Sequence, residues 1–168
     1  MQDRAQLAAE QWQQQRPDLD GLAMAIIGRL GELSHVISRD HLLPLFAEYG
    51  LQAGEFDLLA TLRRSGEPYA LMPTALYESA MISSGGMTSR IDRLEKAGLI
   101  ERRKHPSDRR GVLVALTPAG FELIDGMLEG HVANLQRVLS GLTADEQSTL
   151  HELHGKLLAG LAEREGER

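Results

Sequence analysis

Apolar residues recur at steps of three and four along most of this chain, change once to short β-prone runs, and then return to helical spacing. Leu7, Ala8 and Trp12, in a segment rich in Ala and Gln, predict a helix over Gln2–Gln15. Pro17 restricts Arg16 and breaks it within "RPDLDG". Leu22, Ile26, Leu30, Leu33 and Ile37 carry a longer helix over Leu22–Tyr49, kinked in its last third by Pro44. After a short turn, Phe56, Leu59, Ala60 and Leu62 supply the apolar side of a helix over Ala53–Arg64, which Gly66 ends.

The next stretch has a different grammar. Pro73 opens a short helix that runs to Ser79. A tight turn at "AMIS" follows, and Ser83 or Ser84 caps a second helix to Ala97, closed by Gly98. Two short helices joined by so tight a turn form a helix-turn-helix. "LIERRK" and "VLVALT" then read as two strands around the polar turn "HPSDRRG", a hairpin with a charged tip. Thr117-Pro118 starts another helix, which Phe121, Ile124, Leu128, Val132, Leu135 and Leu139 extend. Thr143 and Glu146 make a capping box before a last helix with Leu150, Leu153, Leu157 and Leu161. The fold class is therefore mainly α with a small β-hairpin wing: a winged helix-turn-helix with helical dimerisation extensions. Residues 51–117 form the winged domain, residues 21–50 and 118–168 the dimerisation region, and residues 1–20 an extra N-terminal helix.

Charge sharpens this picture. The chain has 168 residues and a formal net charge of −6. Eight of its basic residues and only four of its acidic ones lie between Ser83 and Thr117, so this segment is positive and the remainder strongly negative. A local basic surface on an acidic protein suits a reader of nucleic acid better than a general coat protein. At about 100° per residue, Met87, Ile91 and Leu94 share one side of the second motif helix. Thr88, Ser89, Arg93 and Lys96 point broadly away from it. A helix with one packing face and one donor-bearing face fits the major groove, and a thin hairpin reaches the neighbouring minor groove. Ser84 and the amides near Gly85 and Gly86 favour a phosphate at the helix start. At the wing, Arg109 and Arg110 suit a narrow minor groove, and Asp108 suits bracing a neighbouring arginine. The leucine stripes of the terminal helices exceed what a small winged domain can cover; a homodimer buries them and sets two recognition helices about one DNA turn apart on a pseudo-palindromic site.

Other chemistry finds little footing. The chain has no cysteine, which excludes disulfides and thiolate zinc sites. No apolar run approaches the ~18 residues of a membrane span, and the polar N-terminus lacks a signal-peptide core, which predicts a cytoplasmic protein without membrane contact. No GxxxxGK[ST], GxSxG or HExxH motif is present, so no catalytic residues, cofactor or metal are expected. His151 and His154 can share a helix face but have no acidic or cysteine cluster beside them. A winged helix used only for protein assembly is the remaining rival, distinguished by weak, salt-insensitive DNA binding.

"SSGGMTSRIDRLEKAGLIERR", "HPSDRRG" and "VALTPAG" resemble the MarR family of bacterial transcription regulators, over Leu22 to about Leu161. The resemblance implies that Asp108 braces the wing, that Arg110 enters the minor groove, and that Ser84, Thr88, Ser89 and Arg93 face the major groove. Met72 stands where such proteins usually place a Ser or Thr cap. "EQWQQQRPDLDGLAMAIIGRL", "GEFDLLATLRRSGEPY" and "GGMTSRIDRL" are similar to its urate-responsive, PecS/HucR-like branch. That similarity implies a ligand set of Trp12, Asp57, Arg90 and Arg102, and a repressor that urate or a related purine releases from DNA. A guanidinium suits an anionic purine, an indole covers a flat ring, and Asp57 can accept from ring N–H groups or pair with Arg102 in the empty pocket. Plainer uses stay open: Trp12 capping an apolar edge, Asp57 in a structural ion pair, Arg90 touching phosphate. Another aromatic anion, such as a phenolic acid, also fits an arginine-rich site.

Overall fold

The computed structural model describes residues 3–80, 86–108 and 111–166. The chain divides into two compact units, Met1–His131 and Val132–Arg168.

In the first unit, α1 (Arg4–Gln15) is capped by Asp3, whose carboxylate accepts the Gln6 N–H. It packs on α2 (Gly21–Ile37), capped in the same way by Asp20. The single long helix expected to Tyr49 is in fact α2, a π-helical turn over Ser38–Leu42, and α3 (Leu43–Glu48). The Leu43 N–H reaches five residues back to the Ser38 carbonyl. Pro44, next in line, has no N–H to offer the preceding turn, so the chain absorbs the proline in a wider turn as well as a bend.

The winged body follows: α4 (Glu55–Arg64), β1 (Ala70–Leu71), α5 (Pro73–Ser79), α6 (Met87–Lys96), β2 (Ile100–Lys104), β3 (Val112–Leu116) and the first half of α7 (Pro118–Leu139). The hairpin is as expected, but the sheet has a third strand. Its order is β1-β3-β2, all antiparallel, with Ala70 opposite Ala115 and Arg102 opposite Val114. β1 is only two residues long, too short to show alternation in sequence. Helix α5 starts behind Met72 without a side-chain cap. The N-cap of α6 is Gly86, not Ser83 or Ser84. Gly86 takes a left-handed conformation (φ 82°), which glycine adopts without steric cost.

The core of this unit is built from α4, α5, α6, the sheet and α7. Leu58, Leu59, Leu62, Leu76, Val114, Ile124 and Met127 are fully buried in it. Thr117 caps α7 by accepting the Gly120 N–H at 3.0 Å. Gly120 is there for space: a Cβ would stand 1.8 Å from the Leu99 carbonyl oxygen. That contact seats α7 against the start of the wing.

The second unit holds the end of α7 and α8 (Ala144–Gly166). The capping box forms, with Thr143 N–H donating to Glu146 at 2.7 Å. No hydrophobic side chain among its described residues is buried within the single chain. Among the described residues, no helix is long and apolar enough to cross a membrane.

Candidate nucleic-acid interface and effector residues

The recognition helix α6 divides as its periodicity predicts. Met87, Ile91 and Leu94 are buried, while Thr88, Ser89, Arg93 and Lys96 are exposed. A shallow open cavity of about 540 Å³ runs along its outer face, lined by Ser89, Asp92, Arg93, Glu95 and Lys96. Two of these groups also have internal tasks. The Ser89 hydroxyl donates to the Gly86 carbonyl at 2.8 Å, tightening the first turn. The Arg93 Nε lies 3.1 Å from a carboxylate oxygen of Glu55, a residue buried at the start of α4. Sequence reasoning placed Arg93 on the groove side and gave Glu55 no role; the structure turns one edge of the guanidinium inward.

Three of the proposed DNA-contacting residues, Ser84, Arg109 and Arg110, lie outside the described residues. Asp108 is described, at the wing tip. Its N–H donates to His105 Nδ1 at 3.1 Å and its carbonyl accepts the Gly111 N–H at 3.1 Å. The His105 N–H in turn reaches the Gly111 carbonyl at 3.0 Å. His105 is thus a local acceptor for the described residues of the tip, a role that nothing in the spacing "HPSDRRG" announces.

The four proposed effector residues stand on four different elements. Trp12 is on α1 and 51% exposed. Arg90, on α6, comes to the turn that leads into α4, where its Nε lies 3.4 Å from the Ala53 carbonyl. It also packs over Gly54, where a Cβ would meet the guanidinium at 2.8 Å. Asp57 belongs to the first turn of α4 itself, and its Oδ2 is buried without a hydrogen-bond partner. Arg90 thus lies on the residues that lead into α4, and Asp57 three residues further on. Arg102 goes elsewhere. It does not pair with Asp57: it binds Asp92 at 2.6 Å and also Glu95, both on α6. The hydrogen bond to Asp92 holds the Arg102 guanidinium even further into its charged range. The physical reason is local: β2 leaves α6 through a tight turn at Gly98, so Arg102 folds back over the last turn of α6, where two carboxylates one helical turn apart await it. The wing is thereby strapped to the recognition helix.

Two further ties fix the motif. Arg63 pairs with Asp125 at 2.7 Å, joining α4 to α7. Arg64 donates to the Ser79 carbonyl, joining the ends of α4 and α5.

The family model for the MarR family matches residues 51–112, the stretch from the start of the α4 turn to the wing. The chain is 44% identical over 148 residues to the HTH-type transcriptional regulator PecS of Dickeya dadantii, covering 88% of this chain and 89% of that protein. Its structure is similar to that of Sco3205, a MarR family transcriptional regulator from Streptomyces coelicolor solved in complex with DNA. The TM-score is 0.75 at 27% identity, over 85% of this chain and 89% of that one. It is also similar to Bordetella bronchiseptica BpsR, whose DNA binding is regulated by 6-hydroxynicotinic acid. There the TM-score is 0.62 at 27% identity, over 77% and 98% of the two chains.

Proposed function

Because this chain belongs to the MarR family, and is a DNA-binding transcriptional regulator rather than an enzyme, we propose that it is a cytoplasmic repressor released from its operator by urate or a related purine. It binds a pseudo-palindromic operator as a homodimer, with α6 in the major groove and the wing in the adjacent minor groove. Thr88, Ser89 and Lys96 offer donors on the exposed face of α6, and Arg109 and Arg110 carry the wing contact, braced by Asp108. Ser84 faces a phosphate.

One observation carries the effector half: the buried Asp57 oxygen that has no partner, in the helix whose lead-in Arg90 covers. A buried carboxylate oxygen without a donor is costly and calls for one. A purine supplies ring N–H donors for Asp57 and an anionic edge for Arg90. Trp12 covers the flat ring. Binding there draws on Arg90 of the recognition helix, so the signal has a short route to DNA.

A second reading keeps the site and changes the ligand. The response of BpsR to 6-hydroxynicotinic acid supports a small aromatic acid. Urate brings several N–H donors to Asp57 where such an acid brings one, which favours the purine. The test is gel-shift release by urate, xanthine and salicylate in parallel. Urate is expected to release DNA, and Arg90→Ala and Trp12→Ala to keep DNA binding but lose the response. Release by salicylate and not by purines selects the second reading.

A further inference from the structure

Among the described residues, Glu55 is the one charged side chain buried in the chain, at 2% exposure. One carboxylate oxygen accepts the Gln52 N–H at 2.6 Å, and the other faces Arg93 Nε at 3.1 Å. A buried carboxylate without a cation is strongly disfavoured, so Arg93 is held to this position by what lies beneath it. Arg90 and Arg93 stand one turn apart on α6 and so point to neighbouring ground. They reach successive residues of one turn: Arg90 the Ala53 carbonyl and Gly54, Arg93 the Glu55 carboxylate. The start of α4 is thus a seat for the recognition helix, with a buried charge at its centre.

We propose that Glu55 and Arg93 form a latch that sets the angle of α6 on α4, so that Arg93 is a positioning residue for DNA reading and not a phosphate contact. This rests on the reading of α6 as the helix that enters the major groove. Electrostatics alone predicts the opposite sign for Glu55: removing a negative charge from beneath a DNA-facing helix raises affinity for a polyanion. The latch predicts a loss, because the angle of α6 decides which side chains meet base edges.

The test uses the full-length chain and fluorescence anisotropy on two duplexes, one selected by the native protein from random sequence and one scrambled. Glu55→Gln keeps the shape and the acceptor for Gln52 but removes the charge. It is expected to reduce discrimination between the two duplexes about tenfold, the scale of coupling between contacting groups. Arg93→Gln does the same, the double variant is no worse than either single one, and the slope of log K against log salt is unchanged throughout. The latch is overturned if Glu55→Gln binds the selected duplex as tightly as the native protein or tighter. It is equally overturned if Arg93→Gln lowers affinity for both duplexes alike and reduces the salt slope by about one. Should Glu55→Gln not fold, as judged by circular dichroism, the salt slopes of Arg93→Gln and of the double variant decide alone. Thr88→Ala separates the premise from the proposal. Reduced discrimination there supports α6 as the reader whatever Glu55 does, and undiminished discrimination removes the premise and the latch together.

Discussion

The winged body and the C-terminal unit carry the same kind of leucine periodicity and put it to opposite use. In the body, Leu58, Leu59, Leu62 and Leu76 have no exposed surface at all. In α8, Leu153, Leu157, Leu158 and Leu161 are 41–68% exposed within the single chain. Helical spacing of apolar residues says that a face will be covered; it does not say by what. The body supplies its own cover, from four helices and a sheet. The described residues of α8 have none within the chain, and a stripe of that length fits a second copy.

The largest predicted effect strikes the body. Gly120→Ala drives a Cβ into the Leu99 carbonyl, a backbone atom that cannot swing aside. The cost is expected at or above the top of the roughly 1–3 kcal/mol typical of overpacking, measured by urea unfolding. Next, Leu62→Ala empties a fully buried site and should cost about 2–5 kcal/mol. Leu158→Glu breaks the comparison from the other side. If a second copy covers α8, this change converts the dimer to monomer in sedimentation experiments while leaving the far-ultraviolet spectrum helical. A dimer that survives it would assign the stripe to another role.

How far the sequence foretells all this depends on how local the deciding interaction is. The start of α5 at Pro73, the Thr117 cap and the Thr143–Glu146 box are settled by side chains within three residues of the backbone they serve, and they were legible. The split of α6 into buried and exposed faces follows from a single period. What escaped depends on partners distant in sequence. Strand β1 exists only because β3 offers it an edge. The burial of Glu55 follows from how α6 lies on α4; its local trace, a Glu three residues after Gln52 that reaches back to that N–H, was available but names no partner. Resemblance and chemistry allow Arg102 to pair with Asp57 in an empty pocket, whereas proximity gives it to Asp92 and Glu95 instead.

A titration separates the two regions more gently. His131 packs at a tilt against Phe56 with ring centroids 4.4 Å apart, and its Nδ1 is buried without a partner. Burial pushes its pKa below the ordinary 6.5, because the cation is the form that loses most water. The neutral folded form is therefore favoured. Its contribution to stability is complete above the unfolded value and is lost as pH falls below it, since the unfolded chain takes up the proton first. Native protein should unfold at lower urea at about pH 5.5 than at about pH 7.5, and His131→Leu should flatten that difference. An equal slope in both proteins would assign the pH dependence to other groups.

The smallest effect is the most discriminating about α8. A Cβ at Gly155 meets nothing within 4 Å, in contrast to Gly120. Alanine in mid-helix is favoured over glycine by about 0.5–1 kcal/mol, chiefly through the entropy of the unfolded backbone. Gly155→Ala is therefore expected to raise stability by that amount in thermal unfolding at high protein concentration. Gly155 stands one turn before Leu158, so a second helix packed closely over the stripe would meet the new methyl group. In that case the gain disappears and dissociation on dilution comes earlier. A gain that persists at all concentrations puts Gly155 on the solvent side of the helix, and so fixes which edge of the leucine stripe a second copy covers.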